Sequence, residues 1–476
     1  MKWHLKGEPK AVQVKALELL EQRVDNEGLE GYGLWMEQGL AKTTTTLNRF
    51  LELYLSDRMD TLFIVAKRPL RHNWVDEAKK WGYNIPFTVY ETGGWVGPMP
   101  APGKPRTLVG YYQNIHLDRS YNDYMAAITS SGKVLLVGDE SQVIKGPYSK
   151  YTKKFFDINT MANSRMLLSG TPQTQSPLDW WSQLRILRAI RGVSAKHFEL
   201  KYCEKGGFMG KQTLGVNKYN LHELQEIISN HGFIAHKKDW AADLPDKDWN
   251  TIRLDMTSEQ IKHYRTMELE FYAELDRDNI ITANMVISSL MKLQQISSGF
   301  IISENGQYLP IIDPIKIPKI IAIKELIEQS ETKLLVFTHF KYSTKLLANV
   351  LKEYDPCILE GGMEGDKVQQ EVRKFNNSKS KIMVAQVSVG SSGHTLLGNE
   401  DMPCYTTIFY ENSFSLESRS QAEDRNHRFG QIWPVTYYDF VSSKIEERVI
   451  NALQKKKQLV KDVVDFIKTK PEINHD

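Results

Sequence analysis

Three cysteines in 476 residues, Cys203, Cys357 and Cys404, are too few and too scattered for a disulfide framework. None stands at a metal-ligand spacing, which argues against a zinc site and fits a reducing compartment. Net charge is nearly absent: 61 Lys and Arg against 58 Asp and Glu leave +3. Any nucleic-acid surface must then be a local patch rather than a global basic character. No run approaches the roughly 18 apolar residues of a membrane span. The N-terminus, MKWHLKGEPKAVQ, has no apolar stretch of the secretory kind. These absences point to the cytoplasm, or to the host cytoplasm for a viral protein.

What is present is a globular composition, 41% hydrophobic and 25% charged, in a chain too long for one ordinary core. Short apolar runs recur at 61–67, 133–140, 164–172, 333–340, 381–388, 406–412 and 434–441. Each is rich in β-branched residues and ends in polar or glycine-containing text, as buried parallel strands do. Helical stretches such as 71–81, 178–191 and 341–353 alternate with them. The pattern predicts an α/β fold with parallel sheets, in two strand groups, 30–170 and 330–441, around a mostly helical stretch at 178–300. Segment 93–106, rich in Gly and Pro, reads as a loop. Ligands of such sheets bind beyond the carboxyl ends of the strands, so chemistry is sought there.

The segment LWMEQGLAKTTTT (34–46) ends in Gly39, Leu40, Ala41, Lys42, Thr43 and Thr44. It carries the last part of a phosphate-binding loop: a glycine turn, Lys-Thr, then a helix. Backbone N–H groups would cradle phosphates, Lys42 would pair with the β/γ-phosphates, and Thr43 would bind Mg²⁺. The first glycine of the usual pattern has no match, and Ala41 stands where the last glycine belongs. Its methyl group fits beside phosphates if φ is negative and is strained in a left-handed conformation. Alone, the segment reads equally well as a helix start with an incidental lysine. The run KVLLVGDE then delivers adjacent carboxylates, Asp139 and Glu140, at a strand end. One would hold Mg²⁺ through water, and the other would direct the attacking water.

A third motif, LLSGTPQTQSPLDWWSQLRIL (167–187), resembles the Ser-Gly-Thr-Pro segment of the Swi/Snf-like ATPases of helicase superfamily two. The resemblance continues in order. EQGLAKT is similar to the family's EMGLGKT, DESQVIKG to DEAHRIKN, and FIVAKRPLRHNWVDEAKKW to LIVAPLSLLSNWVEEFKKW. QAEDRNHRFGQIWPVTYYDFVSSKIEERV (421–449) resembles QAEDRAHRIGQ and the text that follows it in the family. VAQVSVGSSGHTL (384–396) resembles LLSTxAGGxGLNL. The likeness runs from about residue 5 to about residue 460.

The resemblance implies two RecA-like lobes with ATP in the cleft between them, lobe 1 at 1–245 and lobe 2 at 246–476. Lobe 2 would have a helical insertion near its start and a C-terminal packing helix. Lobe 1 would carry Lys42, Thr43, Asp139, Glu140 and the coupling residues Ser169, Gly170 and Thr171. Lobe 2 would carry Gly390, Gly393, Gln421, Arg425 and Arg428. Gln13 resembles the adenine-reading glutamine. Arg425 and Arg428, three apart, would share a helix face and reach the γ-phosphate as arginine fingers. His394 and Thr395 stand where the family has Leu and Asn, and Gln142 replaces the His of DEAH, a change expected to tune coupling. His339 and His427 lack a second ligand at metal spacing.

Three functions compete. The first is an ATP-driven translocase on double-stranded DNA, which the motif text favours. The second is an RNA or single-strand DNA helicase of the same superfamily. The third is an ATP-binding scaffold without turnover, which the full set of catalytic residues disfavours. Basic groups after 61–67, Lys67, Arg68 and Arg71, are candidates for phosphate contact. The absence of recognisable flanking modules points to a minimal motor of viral or bacterial kind.

Overall fold

The computed structural model describes residues 2–101, 103–173, 176–206, 212–241, 244–277, 283–303, 305–390, 393–428 and 430–468. Two compact units divide the chain: Met1–Ala242 with Lys456–Asp476, and Asp243–Lys455.

The first unit contains β1 (Gly31–Met36), β2 (Thr61–Ala66), β3 (Phe87–Glu91), β4 (Gly94–Val96), β5 (Arg106–Tyr111), β6 (Val134–Asp139), β7 (Ser164–Leu168), β8 (Cys203–Gly206), β9 (Gln212–Val216) and β10 (Gly232–Ala235). Eight of them form one sheet, in the order β10-β1-β7-β6-β2-β5-β3-β4, parallel except for β4. Every residue of β1, β2, β5 and β7 is buried, as expected of a parallel sheet covered on both faces. Each large apolar side chain so buried contributes about 1.5–3 kcal/mol. Part of the segment read as a loop is strand: β4 pairs antiparallel with β3, and Trp95 packs edge-on against Tyr90 at 5.0 Å. One aromatic side chain with a ring to meet there outweighs the surrounding glycines.

The second unit contains β11 (Lys247–Arg253), β12 (Phe300–Ile302), β13 (Tyr308–Pro310), β14 (Leu334–Thr338), β15 (Cys357–Leu359), β16 (Ile382–Gln386), β17 (Thr406–Phe409) and β18 (Val435–Val441). Six form a parallel sheet ordered β11-β18-β17-β14-β16-β15. Helices Ser258–Arg277 and Ala283–Ser297 are inserted between its strands β11 and β14. The end of this insertion is anchored on a buried ion pair between two later helices. Lys319 Nζ meets Glu446 Oε1 at 2.5 Å, and Ser297 Oγ donates to the same oxygen at 3.0 Å. The last helix, Lys444–Lys468, starts in this unit with Ile445 beside Tyr264, Leu293 and Ile296. From Lys456 onward it groups with the first unit. Among the described residues, no helix is long and apolar enough to cross a membrane.

All seven apolar runs read from the sequence are strands, and all three helical stretches are helices, with ends trimmed by a few residues.

Candidate functional site

In the first unit the site is built on three adjacent strands, β1, β7 and β6, whose carboxyl ends fall in register. After β1, residues 37–41 turn into the helix Lys42–Leu55. Gly39 has φ +86° and Leu40 is fully buried. Ala41 is left-handed, with φ +63° and ψ +36°. Of the two cases open to its methyl, easy at negative φ or strained in αL, the structure has the second: the turn into the helix is αL, and Ala41 meets it at a cost of roughly 1–2 kcal/mol.

Lys42 Nζ folds back onto the loop, donating to the carbonyls of Met36 at 2.7 Å and Glu37 at 3.3 Å. Thr44 and Thr45 donate to the Ala41 carbonyl, and Thr46 donates to that of Lys42. Thr43 makes no side-chain hydrogen bond among the described residues, so its hydroxyl is the one open at the helix start. Glu37 ties the loop to the end of β10. Burial alone would raise its carboxyl, but His236 at 2.7 Å and the Lys237 N–H at 2.9 Å bring it down to about 2. Gln13 is buried with both ends of its amide engaged: Nε2 donates to Thr44 Oγ1 at 2.8 Å, and Oε1 accepts the Lys10 N–H at 2.9 Å. In this structure it braces two helices beside the loop.

After β6, Asp139 accepts the Glu140 N–H on Oδ1 and the Trp74 indole N–H on Oδ2, both at 2.9 Å. Burial and the neighbouring Glu140 carboxylate push the Asp139 carboxyl up; the Trp74 bond and the Lys42 charge oppose them. Glu140 is 7% exposed and left-handed at φ +51°. Gln38 Nε2 donates to its Oε1 at 3.0 Å and Gln142 Nε2 to its Oε2 at 2.6 Å.

The relay continues after β7. Ser169 Oγ donates to Gln142 Oε1 at 2.6 Å and accepts the Thr171 N–H at 3.0 Å. The Thr171 hydroxyl is buried, with no hydrogen-bond partner among the described residues. Gly170 lies close against the loop: a Cβ there would stand 3.1 Å from Gln38 Cγ and 3.2 Å from the Gln38 backbone nitrogen, so a side chain would need the loop to give slightly. The phosphate loop, the carboxylate pair and the Ser-Gly-Thr turn thus form one hydrogen-bonded unit. Sequence reading missed Gln38 as its link and assigned Gln142 only a tuning part. A glutamine can donate and accept at once, which is the signal that was there to find.

In the second unit, Gly390 ends a short helix after β16. Its missing side chain makes room for Ala385 and Phe337, which would lie 2.7 and 2.9 Å from a Cβ. Gly393 has φ +72°. The helix Leu416–Glu423 carries Gln421, which is 7% exposed and whose Nε2 is 3.4 Å from Glu417. This helix stops before Arg425, so Arg425 and Arg428 share a turn rather than a helix face. What brings them together is the carbonyl of His394, which accepts from Arg425 Nη1 at 3.3 Å and Arg428 Nη1 at 3.2 Å. Arg425 also donates to the Gln421 carbonyl at 2.7 Å and is 1% exposed; Arg428 is half-buried. Burial first, then these two charges, lower His394 to about 4, so its ring is neutral at pH 7. His427 Nε2 contacts the Pro245 carbonyl at 2.8 Å, and burial lowers the pKa of His339, which packs beside Phe340; both are packing residues.

Of the basic residues after β2, Arg71 is not available to a ligand. It is 7% exposed, stacks on Tyr111 at 4.6 Å and pairs with Glu91 at 3.0 Å. Arg68 is exposed and Lys67 half-buried.

No group of three or more His, Cys, Asp or Glu among the described residues could hold a metal unaided. Thr43 and Asp139 are hard oxygen donors of the kind Mg²⁺ takes when phosphates complete its coordination.

Residues 12–300 match the SNF2-related domain and residues 318–430 the helicase conserved C-terminal domain. Protein p41 of Acyrthosiphon pisum secondary endosymbiont phage 1 is 23% identical over 90% of this chain and 93% of its own length. The human SWI/SNF-related matrix-associated actin-dependent regulator of chromatin subfamily A member 1 is 23% identical over 96% of this chain. The chain spans 44% of that relative's length. The Sulfolobus solfataricus SWI2/SNF2 ATPase core in complex with dsDNA has 22% identity and a TM-score of 0.44, covering 99% of this chain and 97% of that one.

Proposed function

The chain belongs to the SNF2-related domain family of helicase-type, nucleotide-binding ATPases, and we propose that it is an ATP-driven translocase on double-stranded DNA. The observation that carries the catalytic part is the relay Gln38–Glu140–Gln142–Ser169–Thr171, which joins the phosphate loop to the coupling turn.

Lys42 exchanges its two carbonyl partners for the β/γ-phosphates when ATP enters. Backbone N–H groups at the start of helix Lys42–Leu55 cradle the phosphates, and Gly39, Leu40, Ala41 and Thr44 shape that cradle. Thr43 and Asp139 would hold Mg²⁺, which when bound would neutralise charge on the transferring phosphoryl group. Glu140 orients and deprotonates the attacking water, its two oxygens aimed by Gln38 and Gln142. Arg425 and Arg428 act as arginine fingers once the units close on ATP, with Gly390, Gly393 and Gln421 shaping their surroundings; such fingers are worth about 10³–10⁵ in rate. Gln13 reads the adenine by exchanging its present bonds. Ser169, Gly170 and Thr171 pass the state of the γ-phosphate to closure, and the unpartnered Thr171 hydroxyl gains its partner there. Repeated closure and opening becomes movement.

Membership of the family supports duplex DNA as the track. Grip through phosphates makes binding nearly sequence-independent and steeply salt-dependent. ATP turnover is measured without nucleic acid and with duplex DNA, single-stranded DNA or RNA. Duplex DNA is expected to stimulate most; stimulation by RNA alone would replace this reading with the RNA helicase one.

A further inference from the structure

Asp139 is held by two donors of different origin. The Glu140 N–H on Oδ1 is its own backbone, and any residue at 140 except proline would supply it. The Trp74 N–H on Oδ2 comes from a side chain on the helix Arg71–Lys80. Trp74 is 2% exposed, so this bond exchanges little with water. As packing, the indole could be replaced by another large apolar ring. Its N–H is a different matter: a buried indole needs an acceptor, and here the acceptor is the carboxylate itself rather than a carbonyl. Two donors at 2.9 Å from fixed directions stop rotation of the carboxylate about its last side-chain bond, and so fix where its remaining lone pairs point. Partners of this kind orient the groups that hold a metal, and losing one commonly weakens the metal by about 10–100-fold.

We propose that Trp74 is the positioning residue of the Asp139 carboxylate, setting through Nε1–H the direction in which Asp139 presents oxygen to a nucleotide-bound divalent cation. The inference rests on the reading of Asp139 as the metal-holding carboxylate, and the experiment separates the two.

Mn²⁺ is titrated into the full chain saturated with ADP, and free Mn²⁺ is read by electron paramagnetic resonance. Four variants are compared with the parent. Trp74→Phe removes the donor and keeps an aromatic ring. Replacing the indole of residue 74 by its sulfur isostere, benzothiophene, keeps size and shape but has no N–H, and serves if Trp74→Phe fails to fold. Trp81→Phe removes an indole from the end of the same helix, where Nε1 bonds Glu77 instead. Asp139→Asn tests the underlying reading.

Expected is a Mn²⁺ dissociation constant raised roughly tenfold by both replacements of Trp74, unchanged by Trp81→Phe, and raised further by Asp139→Asn. ADP affinity without metal stays within twofold throughout. If Asp139→Asn weakens Mn²⁺ while the isostere stays within twofold of the parent, the role of Trp74 is overturned and the site reading survives. If Asp139→Asn leaves Mn²⁺ binding unchanged, the site reading falls, and the role of Trp74 with it.

Discussion

Gln142 and Ser169 share a hydrogen bond of 2.6 Å, with the amide oxygen of Gln142 accepting from the hydroxyl. The amide nitrogen of the same side chain donates to Glu140, also at 2.6 Å. One residue therefore bonds both to Glu140, the proposed water-directing carboxylate, and to the proposed coupling turn at Ser169. Gln142→Ala is expected to lower DNA-stimulated kcat at least tenfold while nucleotide affinity stays within about threefold. Truncating one partner of a buried bond to a charged group costs about 1.5–3 kcal/mol, and here the loss falls on the catalytic state. Steady-state turnover beside a fluorescent-nucleotide titration checks it. A change in affinity alone would place Gln142 in binding rather than coupling.

Ala41 carries strain where a glycine would carry none. Ala41→Gly relieves the left-handed penalty of about 1–2 kcal/mol and returns part of it through the freer unfolded chain. The expected net gain is about 0.5–1 kcal/mol, read as a higher urea midpoint with unchanged slope. A midpoint that falls would mean the left-handed turn is absent in solution.

His394 gives the second unit a pH dependence of known sign. Its folded pKa is lowered to about 4 against an ordinary 6.5. Below pH 6.5 the unfolded chain binds a proton that the folded chain refuses until about pH 4, so stability falls as pH drops through that window. His394→Leu removes this loss. The unfolding free energy of the variant, relative to the parent, should rise between pH 7 and pH 4.5. A constant difference would show that the pKa of His394 is not lowered in the folded chain.

The two arginines should separate in stability and agree in chemistry. Arg425, almost fully buried and bonded to two carbonyls, costs about 2–4 kcal/mol when cut to alanine. Arg428, half-buried, costs under about 1 kcal/mol. Both variants are expected to lose about 10³ or more in ATP turnover and to keep nucleotide binding. Near-parental turnover in Arg428→Ala would remove it from the catalytic set.

Strand runs such as 61–67 and 381–388 were legible because buried parallel strands are apolar on both faces. β1 was harder to read: GYGLWM carries two glycines, and Gly33 is excused from having a side chain only because the Trp35 ring, 2.5 Å from its would-be Cβ, fills that place. Residue identity alone made Lys42, Asp139 and Glu140 candidates, since the chemistry proposed for them resides in the side chain. The turn at Arg425 and the left-handed Ala41 were not legible. Both follow from how flanking segments meet, through the His394 carbonyl in one case and the β1-to-helix turn in the other. Arg71 misled for the same reason: a basic residue after a strand looks free until Tyr111 and Glu91 are seen around it.

Movement along intact duplex DNA is the central claim, and displacement of a labelled third strand from a DNA triplex tests it most directly. With ATP, the parent is expected to release the third strand while a plain tailed duplex stays paired, and Glu140→Gln should bind ATP and release nothing. Unwinding of the tailed duplex, or an intact triplex during brisk ATP turnover, would contradict that claim.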